Sequence, residues 1–278
     1  MLPLLHDQLR IGLFPDRVMM ARVGKGWHPR TLENHIIPCA SEPAGQHRWS
    51  ASVAVLANAL QEFNSGPADA TVILSNHFAK YLLTPSWSNQ LSSDKETAAY
   101  IRHCFMKVYG EPADNWSICI CTGRSDELAV ASAVDTALLE AIRESIKPTK
   151  LHLRSIQPYL MDAFNHLRTQ FKDASAWFLL AEQGKLCISL FDRGEWRSLR
   201  TMNIDDTWLD DLPHILEREK YLSDLQNASH EVFLYAPEAM DDIPADSGEW
   251  KIHRLMQPTQ PGTQLPVQPG EQQITMSI

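Results

Sequence analysis

Residues 175–203 read SAWFLLAEQGKLCISLFDRGEWRSLRTMN, and this stretch decides the fold. An apolar run from Trp177 to Ala181 meets a turn at Glu182-Gln183-Gly184-Lys185. A second run, Leu186 to Phe191, meets a turn at Asp192-Arg193-Gly194-Glu195, and a third run ends near Met202. Runs of strand length separated by short turns with Gly at the bend predict a three-stranded antiparallel meander. The start of the chain repeats the plan with residues 8–13, a turn at Phe14-Pro15-Asp16, residues 17–23, a turn at Gly24-Lys25-Gly26, and residues 30–37. A meander opening each half predicts a duplicated α/β domain.

Working outward, Val53, Leu56, Ala57, Leu60 and Phe63 have the spacing of an amphipathic helix over 49–63, capped by Ser50 or Ser52 and stopped by Gly66-Pro67. Short strands are expected at 70–74 and 80–83, the second closed by Pro85-Ser86-Trp87. Ser92-Ser93-Asp94 opens a helix whose periodic positions Ala98, Ile101, Phe105 and Val108 carry it to Tyr109-Gly110. A strand at 116–122 follows. Ser125-Asp126-Glu127 is then expected to open the longest helix, which runs to Ile146 and stops at Lys147-Pro148. Next come a strand at 150–156 and a helix with Pro158 in its first turn running to about Phe171. After the central meander the pattern gives a helix over 205–225 and strands at 231–235 and 250–255. From Gln257 four prolines and repeated Gln predict a disordered tail. The expected division is residues 1–174 for a first lobe with connecting helices, 175–256 for a second lobe, and 257–278 for the tail.

At 278 residues and 44% hydrophobic, the chain can bury a sizeable core. Its net charge of −9 and lack of clustered Lys and Arg argue against nucleic acid as the main partner, because phosphate neutralisation needs such clusters. The five cysteines (Cys39, Cys104, Cys119, Cys121, Cys187) are odd in number and fall mostly in expected strands and helices, as buried reduced thiols do. The opening MLPLLHDQLR has neither a basic nor an apolar signal region. No apolar run approaches the ~18–20 residues of a membrane-spanning helix. A cytoplasmic protein is expected, with no direct membrane insertion.

The order meander, helix, strand, helix, strand, then meander, helix, strand resembles the actin-like ATPase fold, two ribonuclease-H-like lobes with mixed sheets. More narrowly, the chain resembles the PilM-like and GspL-like cytoplasmic actin-fold proteins of type IV pilus and type II secretion assembly. The residues that carry the likeness are Val72-Ile73-Leu74-Ser75-Asn76-His77-Phe78, Lys80-Tyr81-Leu82-Leu83 and Pro85-Ser86-Trp87, then Tyr109-Gly110, Trp116 and Ser155-Ile156-Gln157-Pro158. It covers about residues 8–256 and rests more on topology than on any one motif.

The resemblance implies a non-catalytic scaffold. A groove on one lobe would receive the short cytoplasmic segment of a single-span inner-membrane assembly protein, holding this chain peripheral to that membrane. It also leaves room for a homodimer. Nucleotide-binding relatives clamp phosphates with the two meander turns, using small residues, backbone N–H groups and a carboxylate for hydrated magnesium. Here Pro15 has no N–H, Phe14 fills the space, Glu182 is longer than the usual Asp, and Ala236-Pro237-Glu238-Ala239 stands where relatives carry a Gly-rich adenosine loop. No cofactor is therefore expected. Were ATP and magnesium retained, Asp16, Glu182 and Gly184 would hold them. The alternative reading is a diverged actin-fold ATPase or small-molecule kinase, for which Asp135 and Asp162 are the acids to check.

The remaining patterns read as structural. Cys119-Ile120-Cys121 lacks a second Cys/His pair with zinc spacing and is read as core thiols. His214 and Glu217 share a solvated helix face. His103 and Cys104 point about 100° apart on their helix and form no dyad. Ser75-Asn76-His77 lacks the glycines of a nucleophile elbow and is read as a loop that positions a partner chain. The acids at Asp205, Asp206, Asp210 and Asp211 suit a helix N-terminus. Trp87, beside Pro85 in a loop, is the candidate partner-binding side chain.

Overall fold

The structure, a computed structural model, describes residues 6–24, 30–40, 47–62, 66–84, 94–121, 128–171, 175–223, 229–239, 243–244 and 246–256. The expected tail, Lys25-Gly26 and Trp87 lie outside the described residues.

The first meander is β1 (Asp7–Leu13), β2 (Arg17–Val23) and β3 (Thr31–Pro38), antiparallel throughout. α1 (Ser50–Glu62) follows, then β4 (Ala68–Leu74), which pairs in parallel with β1. An excursion of β5 (Ala79–Thr84), α2 (Asp94–Tyr109), β6 (Trp116–Cys121) and β7 (Ala129–Asp135) precedes α3 (Thr136–Ile146). β8 (Leu151–Pro158) then returns in parallel beside β4. The five-stranded sheet has the order β3-β2-β1-β4-β8, and the excursion makes its own sheet, β5-β7-β6.

After α4 (Tyr159–Leu167) and a short 3-10 turn, the second meander runs β9 (Ala176–Glu182), β10 (Lys185–Asp192) and β11 (Glu195–Asn203). α5 (Trp208–Leu222), β12 (Glu231–Tyr235), β13 (Asp246–Ser247) and β14 (Trp250–Arg254) complete the chain. The second large sheet has the order β11-β10-β9-β12-β14-β13. Setting β13 aside, it repeats the first: a meander whose opening strand takes two further strands in parallel. α5 occupies the place in the second half that α1 occupies in the first. The duplication expected from the two meanders is thus present in strand order and strand direction.

Period-2 alternation splits each face of the second sheet. Trp177, Leu179, Leu186, Ile188, Leu190, Val232, Leu234, Trp250 and Ile252 join Trp208, Leu212 and Leu216 of α5 in one buried cluster. Each such side chain contributes about 1.5–3 kcal/mol on burial. The opposite face is aromatic, where Phe178, Phe191 and Phe233 meet Phe164, Phe171 and Trp196 at ring separations of 4.4–6.1 Å. In the first sheet the interior strand β2 is buried at every position while the edge strand β3 is mostly exposed.

Contacts sort the chain into two compact units, one of residues up to 79 with 134–162, the other of 80–133 with 163–256. The excursion 80–133 sorts with the second meander, whereas the sequence division at 174/175 grouped it with the first.

The longest helix expected from Ser125 is not found. Residues 129–135 form β7, and the helix begins only at Thr136. Ala129-Val130-Ala131-Ser132-Ala133-Val134 is buried on both faces, and a run of small and β-branched residues has no one-sided period to betray it as a strand. Asp135, which interrupts no pattern in the sequence, is the N-cap: its carboxylate accepts from the Ala137 N–H at 2.9 Å. Pro158 ends β8 rather than opening α4.

Candidate functional site

In the first meander turn several donors are already engaged by the chain itself. The Phe14 N–H donates to the Arg17 carbonyl at 3.0 Å, and Pro15 has none to give. The Ser52 hydroxyl donates to the Phe14 carbonyl at 2.6 Å, and the Cys39 N–H donates to the Asp16 carbonyl at 2.6 Å. The Phe14 ring is buried edge-on against Tyr159 at 5.6 Å, and the Arg17 guanidinium lies 4.9 Å from its centroid. Asp16, the candidate magnesium holder, is paired with the same Arg17 at 2.5 Å. Burial pushes the Cys39 thiol upward, a hydrogen bond with Ser52 opposes this, and the Asp16 charge adds to it.

The second turn keeps its hairpin geometry. Gly184 takes φ 73°, a left-handed conformation that a side chain would strain. Its carbonyl accepts from the Ile204 N–H at 3.3 Å, and Lys185 Nζ donates to Asn203 Oδ1 at 2.7 Å. Glu182 is 5% exposed, so its carboxylate sits within the fold rather than at an open rim. The Cys187 thiol nearby is raised well above its ordinary value, first by burial and then by the Glu182 charge, while the Lys185 and Lys80 ammonium groups oppose the shift.

In the third loop Ala236 is buried and its carbonyl accepts from the Ala239 N–H at 3.1 Å. Residues 236–239 close as a tight turn on themselves, without the glycines that let backbone approach a ligand. Asp16 belongs to one compact unit, and Glu182 and Gly184 to the other. Trp87 lies outside the described residues. Among those described, no group of three or more His, Cys, Asp or Glu residues could hold a metal ion.

The two acids considered for a kinase are committed to structure. Both carboxylate oxygens of Asp162 accept from the single Arg10 Nη2, at 2.9 and 2.8 Å, with both side chains buried. Asp135 caps α3 and also accepts from Trp49 Nε1 at 3.2 Å. Ser75-Asn76-His77, read as a partner-positioning loop, holds its own chain: Asn76 Oδ1 accepts from the Leu160 N–H at 3.1 Å, satisfying the start of α4, and Ser75 Oγ accepts from the His77 N–H at 3.1 Å. The roles of Asn76 and Asp162 were invisible in sequence because their partners lie 84 and 152 positions away. His214 and Glu217 are both exposed, and Asp205 accepts from the N–H and the hydroxyl of Thr207 just ahead of α5. The reading of Cys119 as a core thiol is corrected, for it is exposed. Trp116, Ile118 and Ile120 take the covered face of the terminal strand β6, so alternation turns Cys119 away.

Two meander-led sheets of like order, each with a helix between its meander and its first parallel strand, define the actin-like ATPase fold. Among solved structures the chain is similar to a protein with actin-like ATPase fold and unknown function from Bacteroides thetaiotaomicron VPI-5482, at TM-score 0.53 and 11% identity, over 83% of this chain and 81% of that one. It is also similar to the PilM-PilN type IV pilus biogenesis complex, at TM-score 0.59 and 14% identity, over 82% and 80%. A third likeness is to the cytoplasmic domain of EpsL, an inner membrane component of the type II secretion system of Vibrio cholerae, at TM-score 0.56 and 12% identity, over 89% of both chains. Identities this low establish the fold alone. No protein-family model and no curated protein sequence matches the chain.

Proposed function

We propose that this chain is a non-catalytic scaffold of a type IV pilus or type II secretion-like assembly platform, a pseudo-ATPase that works by binding the cytoplasmic segment of a single-span inner-membrane protein. The observation that carries the reading is the first meander turn. Its frame is retained, but Phe14, Ser52, Cys39 and Arg17 consume the groups a phosphate would need. A fold that keeps its lobes and fills its phosphate turn has its surfaces left to work with. The similarity to PilM-PilN and to the EpsL cytoplasmic domain supports the choice of assembly. No helix among the described residues is long and apolar enough to cross a membrane, which agrees with recruitment through a partner to the cytoplasmic side.

Calorimetric titration with peptides from the cytoplasmic N-termini of membrane proteins encoded beside this chain tests the reading. Saturable binding by one of them is expected, weakened at least about tenfold, or 1.4 kcal/mol, by Trp87→Ala if that side chain is the anchor. No binding by any would sink the scaffold proposal. Titration with magnesium and ATP is expected to show no saturable binding. Binding in the micromolar range would instead favour a diverged ATPase or kinase, with Asp16, Glu182 and Gly184 at its site.

A further inference from the structure

The end of α5 and the approach to β12 are clasped by side chains. Lys220, in the last turn of α5, has its Nζ 2.9 Å from Nε2 of His230, the residue before β12. An ammonium group only donates, so this contact needs the Nε2 lone pair and puts the proton of a neutral His230 ring on Nδ1. The same Nε2 lies 3.3 Å from Oε2 of Glu249, in the turn between β13 and β14. A carboxylate only accepts, so that contact needs a proton on Nε2. One nitrogen cannot serve both at once. Beneath the pair lies a fixed floor. Trp250 is buried and meets the His230 ring edge-on at 5.0 Å, with Lys220 Nζ 5.7 Å from its own centroid. Trp250 packs in turn on Trp177, whose indole N–H donates to the Ser229 carbonyl at 3.0 Å, and the Lys251 N–H donates to the His230 carbonyl at 3.0 Å. The backbone of His230 is therefore held while its ring has two alternative partners.

We propose that His230 is a pH-operated exchange of partners built into the second compact unit. The neutral ring accepts from Lys220 and ties the last turn of α5 to the start of β12. A ring that has taken a proton from solvent carries N–H on Nε2, repels the ammonium 2.9 Å away, and donates to Glu249 instead. The tie then passes from α5 to the β13–β14 turn. Histidine is the side chain whose ordinary change of charge falls between about pH 5 and 8. Among the described residues, the charged groups facing the ring are Lys220 from α5 and Glu249 from the turn. Glu231, next along the chain, is engaged by Lys251 Nζ at 3.3 Å and by His253 Nε2 at 2.5 Å. His253 is the internal contrast: its Nε2 meets this carboxylate in either charge state, so protonation exchanges nothing there. The His230 and Glu249 side chains are 40% and 71% exposed, and water screens their attraction. The exchange therefore acts on the end of α5 and the adjoining turn, not on the stability of the whole unit. This inference stands apart from the scaffold reading, since it uses neither the filled phosphate turn nor a membrane partner.

The test is nitrogen-15 NMR of the imidazole rings in the full chain between about pH 8 and pH 5, with amide hydrogen exchange measured at both ends of that range. In the wild type His230 is expected in the Nδ1–H tautomer at the alkaline end and doubly protonated at the acid end. Across the same range the amides of Lys220 to Ser223, corrected for intrinsic exchange, should lose protection about threefold or more, and that of Glu249 should gain it. Lys220→Met should turn the neutral ring to the Nε2–H tautomer, facing Glu249, and remove the pH dependence at the end of α5. Glu249→Ala should leave the neutral tautomer as it is and remove the gain in the turn. His253 should keep Nε2–H in every variant, which an unfolded unit would not do. A wild-type His230 found in the Nε2–H tautomer, or protection at the end of α5 that does not change with pH, would overturn the proposal.

Discussion

Arg10 and Asp162 show how much of this fold hangs on single side chains. A buried guanidinium costs several kcal/mol of lost hydration, offset here by two bonds of 2.9 and 2.8 Å to one carboxylate. Asp162→Ala leaves that charge uncompensated and is expected to lower stability by about 3–5 kcal/mol in urea denaturation, whereas the paired replacement Arg10→Met with Asp162→Leu should cost far less. Asp192 gives a solution readout of a different kind. Its carboxyl is held below the ordinary 3.8, first by the Ser175 hydroxyl at 2.8 Å and then by the charges of Arg193 and Arg197. The depressed folded value means this contribution is present above pH 3.8 and is lost as pH falls through the lower folded-state value. Ser175→Ala should move the Asp192 titration upward toward 3.8 in a carboxyl-carbon NMR experiment; no movement would show that the arginines alone set it.

At the scale of the element, the turns and caps carry the specificity. The β10–β11 turn places Arg193 at φ 53° and Gly194 at φ 81°, the left-handed pair that a two-residue hairpin requires. Asp135 converts the end of a buried strand into the start of a helix within one residue, and it also holds Trp49 ahead of α1. Asp135→Ala is expected to lower the melting midpoint by the equivalent of about 1–2 kcal/mol. Asp135→Asn, which can still accept at the cap, should recover most of it. The element that sequence reading misplaced, β7, is of the same kind: propensity and period were silent there, and burial on both faces decided it.

For the whole molecule, the repeated strand order is the strongest statement the chain makes about itself. β3-β2-β1-β4-β8 and β11-β10-β9-β12-β14 are the same path drawn twice, and the scaffold proposal takes the turns of both halves to have lost the chemistry of a nucleotide site. Relieving one blocked turn should therefore not restore a nucleotide site. Phe14→Gly with Pro15→Ser is expected to leave ATP binding undetectable by calorimetry, because residues 236–239 remain closed on themselves. Binding gained by that variant would show that the first turn alone had been the obstacle.

Ser175 to Asn203 announced the second meander, and residues 8–37 the first, because strand period and turn chemistry are written locally: Gly184, Gly194 and Pro15 act within two or three residues of themselves. The departures at Phe14, Pro15 and Ala236 could be read the same way. Long-range contact alone decided that Ser52 and Cys39 would seal the first turn, that Asn76 would receive the start of α4, and that Asp162 would find Arg10 across 152 positions. It also left Cys119 exposed on β6, the terminal strand among the described residues, since only the assembled sheet determines which strand comes last.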